Sequence, residues 1–204
     1  MVNRVFHKLL DQPAVYLTSQ FLLGSMRARK LCVENYVRPT AGMRILDIGC
    51  GPGYVLDYLP KVDYVGYDTD ARYIRYAQRK YGNRGRFVCG LVSAKDVVEL
   101  GKFDAVILMG VLHHLDNPTA KNMLDLAHEV LNPGGKVVSL DGCYQAGQGT
   151  IVKTLLDIDR GEFVRDERGY LTIGEQSFKD VKMDIRHDMF FVPYTTALMT
   201  CVKA

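Results

Sequence analysis

The sequence predicts an α/β fold: a doubly wound, mostly parallel sheet with helices on both faces, behind an N-terminal helical cap. Three observations predict it. Short apolar runs alternate with segments of helical periodicity from Met43 to Leu140. The first run, Ile45, Leu46 and Ile48, leads directly into Gly49, Gly51 and Gly53 at alternate positions. The second run ends on an acidic residue, Asp68, 19 positions after Gly49.

Residues 1–42 read as the cap. Val15, Leu17, Phe21, Leu22 and Leu23 precede Met26, Leu31, Val33 and Val37, with Gly24-Ser25 as a break. Pro39 and Gly42 separate the cap from the first strand, within Met43–Gly53. Tyr54–Leu59 reads as a helix stopped by Pro60. Val62–Tyr67 is the second strand. Asp70 caps a helix over Ala71–Tyr81, which Gly82 ends. Phe87–Leu91 and Phe103–Met109 are the third and fourth strands. Asn117 and Pro118 open a helix reaching Leu131, and Asn132–Gly135 turn the chain into a fifth strand, Lys136–Leu140. In the tail, Val152–Ile158 reads as helix, DIDRGEFVRDERGY as an exposed charged loop, and Phe178–Phe191 and Thr196–Val202 as strands. With no repeat, linker or low-complexity stretch, residues 1–204 are expected to form one domain: cap 1–42, core 43–141, and a substrate-side insert with a strand hairpin at 142–204.

Hydrophobic residues are 48% of the chain and charged residues 24%, ordinary for a globular protein. A net charge of +3 does not by itself support nucleic-acid binding. No apolar run approaches a membrane span, and MVNRVFHKLLDQP lacks the features of a secretory leader, so a cytoplasmic location is expected. Cys32, Cys50, Cys89, Cys143 and Cys201 have no metal-ligand spacing and read as buried free thiols in a reducing compartment. No metal is expected.

A strand, a glycine-rich turn and a helix start form a site for a nucleotide or nucleoside. Asp68 strengthens that reading, because a carboxylate with two acceptor oxygens matches the vicinal diol of a ribose. A dinucleotide fingerprint would read GxGxxG; here the glycines read GxGxG, and the acidic Asp47 precedes them. That pattern points away from a pyrophosphate.

These residues resemble the class I S-adenosylmethionine-dependent methyltransferases, in particular small-molecule members of the methyltransferase type 11 kind. ILDIGCGPG is similar to their first motif, VGYDTD to the acidic second, FDAVILMGVLHHL to the fourth-strand motif and LNPGGKVV to the fifth-strand turn. The resemblance implies a Rossmann-like, seven-stranded sheet whose last strand is antiparallel and inserted beside its neighbours. It also implies S-adenosyl-L-methionine as cofactor and S-adenosyl-L-homocysteine as product. Gly49, Cys50, Gly51 and Gly53 then form the turn at the methionine part, with Asp47 supporting it. Asp68 holds the ribose and Thr69 flanks the adenine. An Asp usual after the third strand is replaced by Leu91, followed by Val92, which leaves apolar contacts and the Val92 amide for the adenine, with Asp96 downstream. Met109 and Gly110 offer backbone near the methyl group.

Methyl transfer needs alignment more than a dedicated base, because the sulfonium is already the leaving group. If a base is used, His113 and His114 are the candidates, with His113 ahead. Tyr16 and Gln20 are expected over the methionine end, and Tyr144, Arg160, Arg165 and Tyr194 on the outer wall of the substrate pocket. No NPPY-like or DPPY-like tetrapeptide follows the fourth strand, and no basic stripe stands out beyond Arg72, Arg75, Arg79 and Lys80 on one helix. A small-molecule acceptor, methylated on O or N, is therefore favoured over RNA or protein, by a monomer or homodimer. A non-catalytic cofactor-binding protein and a spermidine-synthase-like aminopropyl transferase are the readings from other classes. His113 and His114 stand where the latter would want acids.

Overall fold

The computed structural model describes residues 24–158 and 161–204. The helical reading of residues 1–23 lies outside them. Eight strands are described: β1 (Arg44–Ile48), β2 (Asp63–Asp68), β3 (Arg86–Cys89), β4 (Phe103–Met109), β5 (Leu131–Tyr144), β6 (Arg165–Asp166), β7 (Asp180–Arg186) and β8 (Thr196–Val202). The sheet order is β3-β2-β1-β4-β5-β8-β7, and the two-residue β6 pairs with the end of β5. Pairings from β3 through β5 are parallel, while β8 runs antiparallel to both β5 and β7. The expected insertion of an antiparallel last strand is therefore present. The reversal of strand order between β1 and β4 opens a crevice at the carboxyl ends of the strands.

The helices are α1 (Ser25–Cys32), α2 (Ala71–Tyr81), α3 (Ala94–Leu100), α4 (Asn117–Val130), α5 (Thr150–Ile158) and α6 (Glu167–Glu175). Each sheet face buries its own core. Leu46, Ile48, Val106 and Leu108 pack with Leu124, Ala127, Val130, Tyr170 and Ile173 of α4 and α6. Ile45, Ala105 and Ile107 pack on the opposite face with Ala28, Cys32, Ile74 and Ala77 of α1 and α2. Alternate residues of β1 and β4 thus serve opposite cores, which is why both strands read as continuous apolar runs.

Local chemistry accounts for the ends of the helices. Asp70 accepts from the backbone N–H of Arg72 and caps α2. Asp116, one residue before the expected start, caps α4 by accepting from Thr119. Asp96 and Ser93 form a reciprocal capping box that starts α3, a helix absent from the sequence expectation. Tyr54–Tyr58 is a single 3-10 turn rather than a regular helix. After α1 the chain widens into a π-type turn, Val33–Val37, ended by Arg38 at φ +47°.

Three further differences from the sequence reading have physical causes. β5 begins at Leu131 instead of Lys136: Phe103 pairs with Leu131 and Ala105 with Lys136, so Asn132–Gly135 bulge out of the ladder. The charged stretch 157–170 is not simply an exposed loop. Arg165 is only 9% exposed and builds β6, and Asp166 caps α6 by accepting from Gly169. Its guanidinium donates to Asn117 Oδ1 and to the carbonyls of Leu112, Leu115 and Phe163, which ties β6 to the turn after β4. Finally, β7 ends at Arg186, five residues early. There Arg186 engages Asp188 and the Tyr36 hydroxyl, Tyr36 donates to Asp184, and Arg27 donates to the carbonyl of Asp188. This polar cluster clamps the described part of the cap onto the sheet edge.

Candidate functional site

Strand β1 delivers the chain to the carboxyl edge of the sheet at Ile48. There the N–H groups of Gly49 and Cys50 both donate to the Tyr67 carbonyl, at 2.8 and 2.9 Å, fastening the turn to β2. Gly49, Gly51 and Gly53 all have positive φ. At Gly49 the requirement is double, because a Cβ there would stand 2.5 Å from Val111 Cγ2. Gly51 donates its N–H to Asp68 Oδ2 at 2.8 Å, and Asp70 donates its own to Asp68 Oδ1 at 2.8 Å. The carboxylate is therefore aimed by two backbone donors, and each oxygen keeps acceptor capacity for a further bond. Burial pushes its pKa up, against the two N–H groups, which favour the ionised form.

Above this turn lies a cavity of about 850 Å³. Gly49, Gly51, Asp68 and Thr69 line one side of it, Gly90, Leu91 and Val92 a second, and Met109, Gly110, Val111 and His114 a third. Ser25, Met26 and Arg29 reach it from α1. Tyr54, Tyr73, Tyr76 and Lys80 complete the wall.

A second cavity, of about 100 Å³, adjoins the first and shares Ser25, Arg29, Met109 and Gly110 with it. Its other lining residues include His113, Leu140, Asp141, Gly142, Phe190 and Tyr194. His113 is 5% exposed, and its Nδ1 stands 2.8 Å from Asp141 Oδ1. Its backbone N–H donates to the same oxygen at 3.2 Å. Phe163 N–H donates to the His113 carbonyl, and Gly161 leaves no room for a Cβ beside the ring. His114 stacks at a tilt, ring centroids 4.2 Å apart, and lines the larger cavity. The two histidines therefore serve different cavities.

Residues 45–135 match the family model of a methyltransferase domain. Over this stretch the chain is similar to the class I S-adenosylmethionine-dependent methyltransferases. It is 35% identical over 104 residues to the ubiquinone biosynthesis O-methyltransferase of Cereibacter sphaeroides, covering 49% of this chain and 41% of that protein. Among solved structures, the pyocyanin biosynthetic protein PhzM superposes with a TM-score of 0.72 at 17% identity, covering 98% of this chain and 62% of that one. Magnesium protoporphyrin IX methyltransferase (ChlM) of Synechocystis PCC 6803, solved with bound S-adenosylhomocysteine, gives 0.61 at 20% identity, covering 89% and 84%. At such identities the structural likeness speaks for the fold. The chain spans less than half the length of the curated relatives it matches.

In this methyltransferase fold, Gly49, Gly51, Asp68, Thr69, Leu91, Val92, Met109 and Gly110 all line the larger cavity. Leu91 is 72% exposed and sits at its rim. Asp47, Cys50 and Gly53 do not line it; they lie behind the turn. Asp47 is buried on the α1 side, accepts from the Tyr64 hydroxyl at 2.7 Å, and is pushed up to about 7 by burial. Cys50 fits against Gly66, where a Cβ would approach its Sγ to 2.9 Å. Its thiol is pushed well above the usual range by burial, so it packs rather than reacts. Gly53 leaves space for Phe87, Tyr81 and Ala77. Asp96 caps α3 and accepts from Tyr67. Cys89 departs from the buried-thiol expectation, being exposed.

Tyr194 lines the smaller cavity with its ring centroid 4.9 Å from that of Phe190. Tyr144 does not line either cavity and donates instead to Asp157 Oδ1 at 2.7 Å. Tyr16, Gln20 and Arg160 lie outside the described residues. Sequence reasoning missed Arg29, Phe190 and Asp141. Only Asp141 left a signal, as an acid directly after an apolar strand run. Among the described residues, no group of three His, Cys, Asp or Glu side chains is placed to hold a metal, and no helix is long and apolar enough to cross a membrane.

Proposed function

We propose that this chain transfers the methyl group of S-adenosyl-L-methionine to an oxygen of a small-molecule acceptor. One observation carries the proposal: Asp68 is aimed by two backbone N–H groups beside a turn of positive-φ glycines, at the wall of a cavity of about 850 Å³. The donor set suits a nucleoside with a sulfonium tail. Asp68 offers two acceptors to a ribose diol, the glycines let a ligand approach the backbone, and Leu91 and Val92 frame a flat apolar base. The buried acid Asp47 behind the turn disfavours a pyrophosphate there. Relatives named as O-methyltransferases support oxygen as the acceptor atom.

When bound, the cofactor supplies a methyl carbon activated by its sulfonium. The chain's own work is alignment and proton removal. Met109 and Gly110 line both cavities, which supports a transfer point at that junction. His113 takes the proton that the acceptor oxygen loses as its new O–C bond forms. Asp141, accepting at Nδ1, holds the tautomer that leaves Nε2 as the basic nitrogen. His114 and the described part of the cap help exclude water.

Calorimetry with S-adenosylmethionine and S-adenosylhomocysteine tests the reading. Wild type is expected to bind both and Asp68→Ala neither at comparable concentration. A wild-type chain that binds neither refutes it.

A further inference from the structure

Arg29 lines both cavities, together with Ser25, Met109 and Gly110. With a ribose on Asp68 and a base against Leu91 and Val92, the wall left for the cofactor's tail is Gly49, Gly51, Met109, Gly110 and Arg29. A methionine tail is a zwitterion. Backbone carbonyls suffice for its ammonium, but a carboxylate drawn out of water needs a cation or several N–H donors. Among the described residues lining the larger cavity, the permanent cations are Arg29 and Lys80. Lys80 has its counter-charge in the same wall, Asp57 Oδ2 at 3.4 Å, and lies over the Tyr54 ring. The charge of Arg29 instead reaches the glycine turn. Burial raises the pKa of Asp47, just before that turn, and of Tyr58, just after it, and Arg29 opposes both rises.

We propose that Arg29 receives the carboxylate of the cofactor's methionine tail, and that the chain thereby rejects cofactors lacking that carboxylate, the decarboxylated aminopropyl form included. The proposal rests on the methyltransferase reading above and names the residue that makes its cofactor site selective. A guanidinium has five donors in a planar fork, so a protein partner still leaves Arg29 N–H groups for a carboxylate. An aminopropyl tail carries an ammonium and no carboxylate, and meets the guanidinium as a like charge. Arg29 therefore separates this site from one built to transfer an aminopropyl group, a distinction that Asp68 and the glycines cannot make.

The test is calorimetry on the full 204-residue chain with S-adenosylhomocysteine and with its decarboxylated analogue, in which a hydrogen replaces the carboxylate. Wild type is expected to bind S-adenosylhomocysteine about tenfold or more tighter than the analogue, one charge-assisted hydrogen bond's worth. Arg29→Gln is expected to weaken S-adenosylhomocysteine by about tenfold or more while binding the analogue as tightly as wild type does, or more tightly. Arg29→Lys keeps the charge and loses the fork, so its preference should fall about threefold or more below that of wild type. That variant carries the comparison if Arg29→Gln does not fold. Equal wild-type affinities overturn the proposal, as does a preference that survives undiminished in the variants. An equal loss for both ligands also overturns it, because a purely structural role for Arg29 predicts that result. Failure of wild type to bind S-adenosylhomocysteine at all strikes the methyltransferase reading, whereas binding it without the carboxylate preference strikes only this inference.

Discussion

The backbone N–H of Gly51 donates to Asp68 Oδ2 across 2.8 Å, so the glycine turn after β1 and the acidic end of β2 form one mechanical unit. Removing the carboxylate does more than delete a ligand contact; it also releases the turn. Asp68→Ala is expected to weaken S-adenosylhomocysteine binding by about a hundredfold, the loss of charge-assisted bonds worth about 1.5–3 kcal/mol each. Asp68→Asn, which retains one acceptor oxygen, should lose less. Titration calorimetry on both variants checks the order.

Gly49 faces two constraints, φ +76° and a 2.5 Å approach of any Cβ to Val111 Cγ2. Gly49→Ala is expected to destabilise the chain by at least about 1–2 kcal/mol from the backbone alone. Adding Val111→Ala relieves the overlap and not the φ, so the double variant should recover only part of the loss. Urea unfolding of the two variants measures the split.

The buried guanidinium of Arg165 satisfies the carbonyls of Leu112, Leu115 and Phe163. Arg165→Met leaves these acceptors without their donor and is expected to cost about 3 kcal/mol in urea unfolding. Arg165→Lys should rescue little, because an ammonium cannot reproduce the planar fork.

Asp47 gives a signed pH effect. Burial raises its folded pKa from 3.8 to about 7, so the folded chain holds a proton in that window which the unfolded chain has released. Its contribution to stability is therefore fully present below pH 4 and is lost as pH rises toward 7, with a slope of up to about 1.4 kcal/mol per pH unit. Asp47→Asn, which can still accept from Tyr64, should lose that slope. Relative to wild type it should gain stability at pH 7.5 over pH 5. A wild-type minus variant difference that is flat with pH would be the contrary result.

The two histidines are expected to separate. With a small hydroxylated acceptor found by screening, His113→Asn should lower turnover by about a hundredfold or more and remove the acidic limb of the pH–rate profile. S-adenosylhomocysteine affinity should stay unchanged. His114→Asn, altering the wall of the larger cavity, should act mainly on cofactor affinity. A pH–rate profile unchanged in the double variant would remove the proton-transfer role.

Much of the glycine-turn side of the larger cavity was legible because its signals are local. Positive-φ glycines, an acid ending a strand and a capping Asp before a helix each act within a few residues of themselves. Helix α2 was read to the residue for that reason. The segment 157–170 was misread for the opposite one: its charges suggest solvent, yet Arg165 is buried by carbonyls about 50 positions away in sequence, which no local pattern reveals. Leu91 and Val92, picked out by their position after β3, line the larger cavity, while α3, started by an ordinary Ser and Asp, went unseen.

By itself the sequence determined the alternating α/β order, the glycine turn and the acid at its side. These follow from backbone conformation and hydrophobic period, which neighbouring residues set. Only the tertiary structure decided that Asp47, Cys50 and Gly53 stand behind that turn, that His113 and His114 face different cavities, and that Asp141 meets His113. Each of these depends on which face of a strand packs against which helix. That choice is made by contacts between residues far apart in the chain.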